Sequence, residues 1–192
     1  VREIVLASTS RYRRSLLDRL GLPYRAVSPL SDEEGLDHLA AEERATELAV
    51  RKARSVAPAH PRALIIGSDQ IAEIEGRTLK KPGTLEAARA SLRALAGREH
   101  RLVTAVALLD AESGRLETAL DIARLRMRVL SEREIDAYLS REETQGCAGA
   151  YRIEGLGAAL FESMKTEDPT GIIGLPLTRL AALLTRFGVS VL

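Results

Sequence analysis

The chain has 192 residues, 45% of them hydrophobic and 29% charged, and 28 Lys and Arg against 27 Asp and Glu give a formal net charge of +1. That length suits one domain over residues 1–192 with a sizeable core, and the balanced charge argues against stable nucleic-acid binding, which normally needs a basic excess. Cys147 is the only cysteine, so no intrachain disulfide forms, no apolar run approaches the ~18 residues of a membrane span, and no signal-peptide core opens the chain, so the expected compartment is the reducing cytoplasm.

In chain order, Glu3 to Ala7 reads as a short buried strand, followed by a helix with Ser10 as N-cap and Leu16, Leu17 and Leu20 on its buried face. Gly21 and Pro23 close that helix, and Tyr24 to Val27 forms a second strand candidate before the acidic loop at Ser31-Asp32-Glu33-Glu34. Ala40 to Val56 is strongly helix-forming and is stopped by Pro58 and Pro61. Ala63 to Gly67 reads as a buried strand that releases Ser68-Asp69-Gln70 at its C-terminal end. A hairpin around Glu75-Gly76 and a capped helix from Thr84 to Ala96 follow. Two long strands flank the turn Glu112-Ser113-Gly114-Arg115, and Ser131 with Glu134 resembles a capping box opening a helix to Ser140. Gly146 to Gly157 is Gly-rich and irregular, Ala158 to Glu162 is another strand candidate, and Leu177 to Phe187 is the last helix, with a short strand after Gly188. Helices and strands joined by both crossovers and hairpins indicate an α/β or mixed α+β domain around a mixed sheet.

The Walker P-loop, the dinucleotide Gly fingerprint and the zincin helix motif are all absent. His38, His60 and His100 lack ligand spacing, which leaves carboxylates and cations to carry any chemistry. Ser8-Thr9-Ser10-Arg11-Tyr12-Arg13-Arg14 stands at a strand-to-helix junction, where free N–H groups and the positive end of the helix dipole suit an anion. An ordinary capped surface helix with solvated arginines fits the same residues, and spacing alone leaves both readings open. Asp69 at the end of an apolar strand is well placed for catalysis or metal binding, although an Asp there is more often the cap of a turn. Lys81 before Pro82 suits a phosphate as a point charge, with a solvated basic turn as the alternative. The chain has 24 Arg and only 4 Lys, so Lys52, Lys80 and Lys81 stand out as places where a compact ammonium is kept. Glu33 and Lys52 by themselves fit exposed charged surface, Glu154 beside Gly155 fits a surface turn, and Cys147 among small residues reads as a buried, inert thiol.

Together these segments resemble the Maf family of nucleoside-triphosphate pyrophosphatases. The matching pieces run from Leu6-Ala7-Ser8-Thr9-Ser10 with Arg13-Arg14, through Asp32-Glu33, Lys52-Ala53, Gly67-Ser68-Asp69-Gln70 and Lys81-Pro82. They continue with Cys147-Ala148-Gly149, Glu154-Gly155 and Gly174-Leu175-Pro176-Leu177. The resemblance implies a two-lobed α/β fold, similar to that of inosine triphosphatases, around a curved mixed sheet with a cleft between the lobes. It implies a homodimer, a divalent metal (Mg²⁺ or Mn²⁺), and hydrolysis of a nucleoside triphosphate to monophosphate and pyrophosphate. Asp69 is then the general base and shares the metal with Glu33, while Ser8, Arg13, Lys52 and Lys81 line the polyphosphate. Within the family, Gln70 and Glu154 resemble the branch acting on 7-methyl-GTP, whose cationic ring suits the Glu154 carboxylate and the face of Tyr12. The other branch, acting on dTTP and UTP, typically has Thr and Gln at those two places. A nucleotide-binding regulator of septum formation is the reading from a different class.

Overall fold

The computed structural model describes residues 2–30 and 34–192. Its elements in chain order are β1 (Ile4–Ala7), α1 (Arg11–Asp18), β2 (Arg25–Val27), α2 (Ala41–Val56), β3 (Leu64–Ile74), β4 (Arg77–Thr78), α3 (Leu85–Leu95), β5 (Glu99–Asp110), β6 (Leu116–Met127), α4 (Glu132–Leu139), β7 (Phe161–Lys165), α5 (Pro169–Ile173) and α6 (Leu177–Arg186). Seven strands form one mixed sheet in the order β2-β1-β3-β5-β6-β7, with β4 paired to β3. The long strands β3, β5 and β6 run through the molecule as an antiparallel meander, while shorter strands complete the sheet at either end. At one end β1 pairs parallel with β2 and with the start of β3. At the other end β4 pairs with the last residues of β3, and β7 with the last residues of β6.

This sharing of long strands gives two lobes. Leu16, Leu17, Leu64, Ile66, Val106, Leu108, Leu180 and Leu183 pack one face of the first lobe. On the opposite face α2 lays Ala45, Leu48 and Ala49 against Ile71, Val103 and Ala105. In the second lobe Leu92 and Leu95 of α3 and Ile135 and Tyr138 of α4 close over Ala72, Leu102, Leu125 and Met127. The mixed α/β architecture read from the sequence is the one observed.

The helix boundaries follow their local signals. Ser10 caps α1 and Thr84 caps α3, each by accepting from the backbone N–H three residues on, and Ser131 and Glu134 form the full capping box of α4. Glu75 and Gly76 both take positive φ, as a two-residue hairpin turn requires.

Three expectations are corrected. The strand expected to end at Gly67 continues to Ile74, because β5 pairs with it throughout, from Leu64↔Asp110 to Glu73↔Arg101. Asp69 therefore lies inside a strand. Residues 158–160, expected to be extended, belong to a 3₁₀ turn over Leu156–Leu160, and β7 starts only at Phe161. The chain folds back there because Gly157 sits against the Arg152 carbonyl, where a Cβ would come within 2.2 Å of the oxygen. After Gly188 no strand forms among the described residues. Instead the Val189 N–H returns to the Leu184 carbonyl (2.9 Å) and finishes the end of α6. The short helix α5 escaped the sequence reading although it carries a usable signal, Asp168 as N-cap and Pro169 at the first position.

Candidate active site

The parallel pairing of β1 with β3 stops at Leu6↔Ile66, while β3 continues to Ile74. From Gly67 to Ala72 one edge of β3 thus has no strand beside it among the described residues. A cavity of about 340 Å³ opens over this edge and straddles both faces of the sheet. Strand alternation divides it. Gly67, Asp69 and Ile71 face α2, as do their cross-strand neighbours Ala107, Ala105 and Val103. Ser68, Gln70 and Ala72 face the other way, toward α5 and the second lobe.

The α2 face holds the most tightly defined pair. α2 lies so close to β3 that a Cβ on Gly67 would fall 2.0 Å from the Ala49 carbonyl oxygen and 3.0 Å from the Ala53 nitrogen. This contact brings Lys52 over Asp69, and its Nζ donates to Asp69 Oδ1 at 2.5 Å. Both residues are 8% exposed, so the ion pair is shielded from water far more than a surface pair. The second carboxylate oxygen of Asp69 makes no hydrogen bond among the described residues. Arg44, Leu48 and Lys52 line the cavity from successive turns of α2.

The α1 end adds Ser10, Tyr12 and Arg13 to the wall. Arg13 is anchored by Nε donating to the Gly174 carbonyl (2.9 Å), which joins α1 to the loop before α6. Ser68 donates to the same carbonyl at 3.0 Å. Ser8 is buried behind this wall and does not line the cavity; its hydroxyl accepts from the Ser10 N–H at 3.2 Å. Lys81, exposed, lines the opposite rim with Thr78 and Leu79.

On the other face, Gln70 is held by its side-chain nitrogen, which donates to Thr104 Oγ1 and to the Gly171 and Ile172 carbonyls at 2.9 to 3.1 Å. Its nitrogen is thereby committed to fixing α5 on the sheet. Behind α5, the buried Asp168 carboxylate accepts from the N–H and hydroxyl groups of Thr170 and Thr178, capping α5 and the first turn of α6 together. Burial works against that charge, yet these hydrogen bonds keep the carboxyl below its ordinary range.

Glu154 and Tyr12 meet at this end through a residue not singled out in the sequence. Arg152 places its guanidinium 5.5 Å from the Tyr12 ring centre. It bonds Glu142 at 2.9 Å and lies 3.6 Å from Glu154. Glu142 also accepts from the Leu156 N–H at 2.7 Å, which fixes the turn carrying Glu154. Two carboxylates thus share one guanidinium beside an aromatic ring. Cys147 lines the cavity half-buried rather than fully enclosed. Burial and the nearby Glu154 push its thiol pKa up, which keeps it protonated and a poor nucleophile.

Among the described residues no group of three His, Cys, Asp or Glu side chains is placed to chelate an ion by itself. Asp69 is the one described carboxylate on the α2 face of the cavity. That donor set fits an ion of the Mg²⁺ type, which takes one or two carboxylates and completes its shell with phosphate oxygens and water. Glu33, expected as its companion, lies outside the described residues. Of the expected site residues, Asp69, Lys52, Arg13, Lys81, Tyr12, Gln70 and Glu154 converge on this cavity, while Ser8 stands behind it. Sequence reading missed Ser10, Arg44 and Arg152. For Arg44 the available signal was its helical spacing, two turns before Lys52 on the same stripe.

The family model described as Maf-like protein matches residues 3–187. The chain is 46% identical over 187 residues to a protein of Xanthomonas campestris pv. campestris, covering 97% of each chain. It is 46% identical to one of Bordetella pertussis, covering 97% of this chain and 93% of that one. With a protein of Chromobacterium violaceum it shares 45% identity over 190 residues, covering 98% of each. All three relatives bear the name 7-methyl-GTP pyrophosphatase. A match over nearly the whole length, by both the family model and these relatives, makes this chain a member of the Maf-like protein family.

Proposed function

We propose that this chain hydrolyses 7-methyl-GTP between the α and β phosphates, giving 7-methyl-GMP and pyrophosphate. The observation that carries this reading is the division of one cavity by the open edge of β3. The shielded Lys52–Asp69 pair lies on one side, and the Tyr12–Arg152–Glu154 cluster on the other. Asp69 is the general base: Lys52 occupies Oδ1 and fixes the carboxylate, and the second oxygen takes a proton from the attacking water. Lys52, Arg13 and Lys81 bind the phosphates, with Ser10 beside Arg13, and Ser8 supports them through the Ser10 N–H. A divalent cation held by Asp69 and Glu33 would neutralise the phosphate charge that builds up during cleavage.

On the base side, Glu142 and Glu154 share the Arg152 guanidinium, and Arg11 lies 4.8 Å from the Tyr12 ring centre, so the ring already holds cations and Glu154 is the carboxylate that lines the cavity beside it. A positively charged purine ring stacks on Tyr12 as these guanidinium groups do and donates its N–H groups to Glu154. A neutral pyrimidine gains neither benefit. Gln70 shapes the wall by holding α5. The names of the three relatives agree with this preference. A cytoplasmic homodimer belongs to the same reading.

The test is a substrate panel of 7-methyl-GTP, GTP, dTTP and UTP with Mg²⁺ or Mn²⁺, with pyrophosphate and orthophosphate measured separately. Pyrophosphate release, fastest from 7-methyl-GTP, is expected. A preference for dTTP or UTP overturns the substrate, orthophosphate as first product overturns the cleavage site, and binding without turnover points to a regulator.

A further inference from the structure

We propose that Arg44 is an additional phosphate-binding residue, holding the pyrophosphate that leaves in the reaction assigned above. The inference rests on that reading for the identity of the polyphosphate, but its first support is the geometry of α2. Arg44, Leu48 and Lys52 are spaced four residues apart and all line the cavity, so they form one stripe about 12 Å long on a helix rising ~1.5 Å per residue. The contact of Gly67 with Ala49 and Ala53 fixes which end of that stripe lies where. The C-terminal half of α2 lies over Gly67 and Asp69, and the earlier residues Ala45 and Leu48 pack with Ile71. Arg44 therefore extends the cationic wall from Lys52 along β3, on the face that holds Asp69. The base-side cluster of Tyr12, Arg152 and Glu154 belongs to the other side.

Charge and hydrogen bonding point the same way. The described cavity wall carries four cations, Arg13, Arg44, Lys52 and Lys81, against the two carboxylates Asp69 and Glu154. The Arg44 side chain is 19% exposed, and Nη1 forms an ion pair with Asp37 Oδ1 at 2.8 Å. Its Nε is buried and has no hydrogen-bond partner among the described residues. A guanidinium offers its donors in a planar fork suited to two phosphate oxygens, and a turn of the side chain away from Asp37 presents that fork, with its unanswered N–H, to the cavity. Asp37 is 83% exposed, so its carboxylate can return to water with little loss when phosphate takes the guanidinium.

The experiment is calorimetric titration of inorganic pyrophosphate with Mg²⁺, and separately of 7-methyl-GMP, into wild type, Arg44→Gln, Arg44→Lys and Asp37→Asn. Arg44→Gln is expected to weaken pyrophosphate binding at least tenfold and to leave 7-methyl-GMP within twofold, with Arg44→Lys in between. Asp37→Asn is the discriminating variant. If Arg44 only anchors the chain through Asp37, that variant weakens pyrophosphate binding as much as Arg44→Gln does. If Arg44 serves phosphate, removing its competing carboxylate leaves binding unchanged or tighter. Pyrophosphate affinity within twofold of wild type in Arg44→Gln, equal weakening of 7-methyl-GMP, weakening by Asp37→Asn, or no pyrophosphate binding by wild type overturns the proposal. Should Arg44→Gln fail to fold, Arg44→Lys and Asp37→Asn decide it alone. An orthophosphate product from 7-methyl-GTP would overturn the reaction while leaving this binding result standing.

Discussion

At the residue scale, Asp69 has two obligations, to hold Lys52 and to accept a proton, and an isosteric change separates them. Asp69→Asn keeps the side-chain volume and an oxygen for Lys52 Nζ, but removes the basic carboxylate. Hydrolysis is expected to fall by ~10²–10⁴, the usual contribution of a positioned base, with the circular dichroism spectrum unchanged. Turnover near wild type in a folded Asp69→Asn protein would remove the residue from the base role. Glu154 makes a different kind of prediction, because it stands beside the base site and not beside the pair. Glu154→Gln keeps the shape but removes the carboxylate charge that the side chain shares with Arg152 beside Tyr12. KM for 7-methyl-GTP is then expected to rise ~10-fold, the worth of one charge-assisted hydrogen bond at ~1.5 kcal/mol, while KM for GTP moves much less. Equal loss on both nucleotides would place Glu154 in the turnover or folding machinery instead.

At the scale of the element, the site depends on how closely α2 approaches β3, and Gly67 sets that distance. Gly67→Ala places a methyl 2.0 Å from the Ala49 carbonyl, so helix and strand must part. Overpacking of this kind costs about 1–3 kcal/mol, and it also moves Lys52 off Asp69. Thermal melts and kinetics should therefore show a lowered Tm together with a fall in kcat; a lowered Tm with unchanged kcat would mean that the pair tolerates the displacement. This dependence explains which parts of the site could be read from the chain. The capping residues Ser10, Thr84 and Ser131, the Glu75-Gly76 turn and the helical stretch of α2 act locally, so their sequence signals carry through to the structure. The position of Asp69 depends on pairing with distant partners. An apolar run followed by Ser68-Asp69-Gln70 looks like a strand end, and only β5 on one side and the early stop of β1 on the other show that the strand continues with an open edge. Arg44 and Arg152 were hidden for a related reason. In a chain with 24 arginines, composition does not mark the two that a helix stripe and a folded-back turn bring to the site.

At the scale of the whole molecule, the two lobes depend differently on acidity, because one encloses a histidine. His100 on β5 is 2% exposed in the second lobe, edge-on to Tyr151 and tilted against Phe161. Its Nε2 shares a hydrogen bond of 2.6 Å with the Tyr151 hydroxyl, and Nδ1 has no partner among the described residues. Protonation of the ring would leave a buried, charged N–H without an acceptor, and burial pushes the pKa down to about 4 from an ordinary 6.5. The unfolded chain therefore binds a proton more readily than the folded one. The stabilisation from keeping His100 neutral is complete above about pH 6.5 and is lost progressively as pH falls toward 4, an effect on the order of 3 kcal/mol. Tyr151 also lines the cavity, so the strain of acidification falls on the base side of the site and not on the Lys52–Asp69 side. Denaturant unfolding of wild type and His100→Gln at several pH values between 7.5 and 4.5 measures the linkage. Glutamine does not titrate, so the stability of wild type relative to His100→Gln should decline across that range by ~2–3 kcal/mol. A pH-independent difference between the two proteins would show that His100 does not govern the acid response, and that carboxylates held below their ordinary range, such as Asp168 and Asp110, carry it.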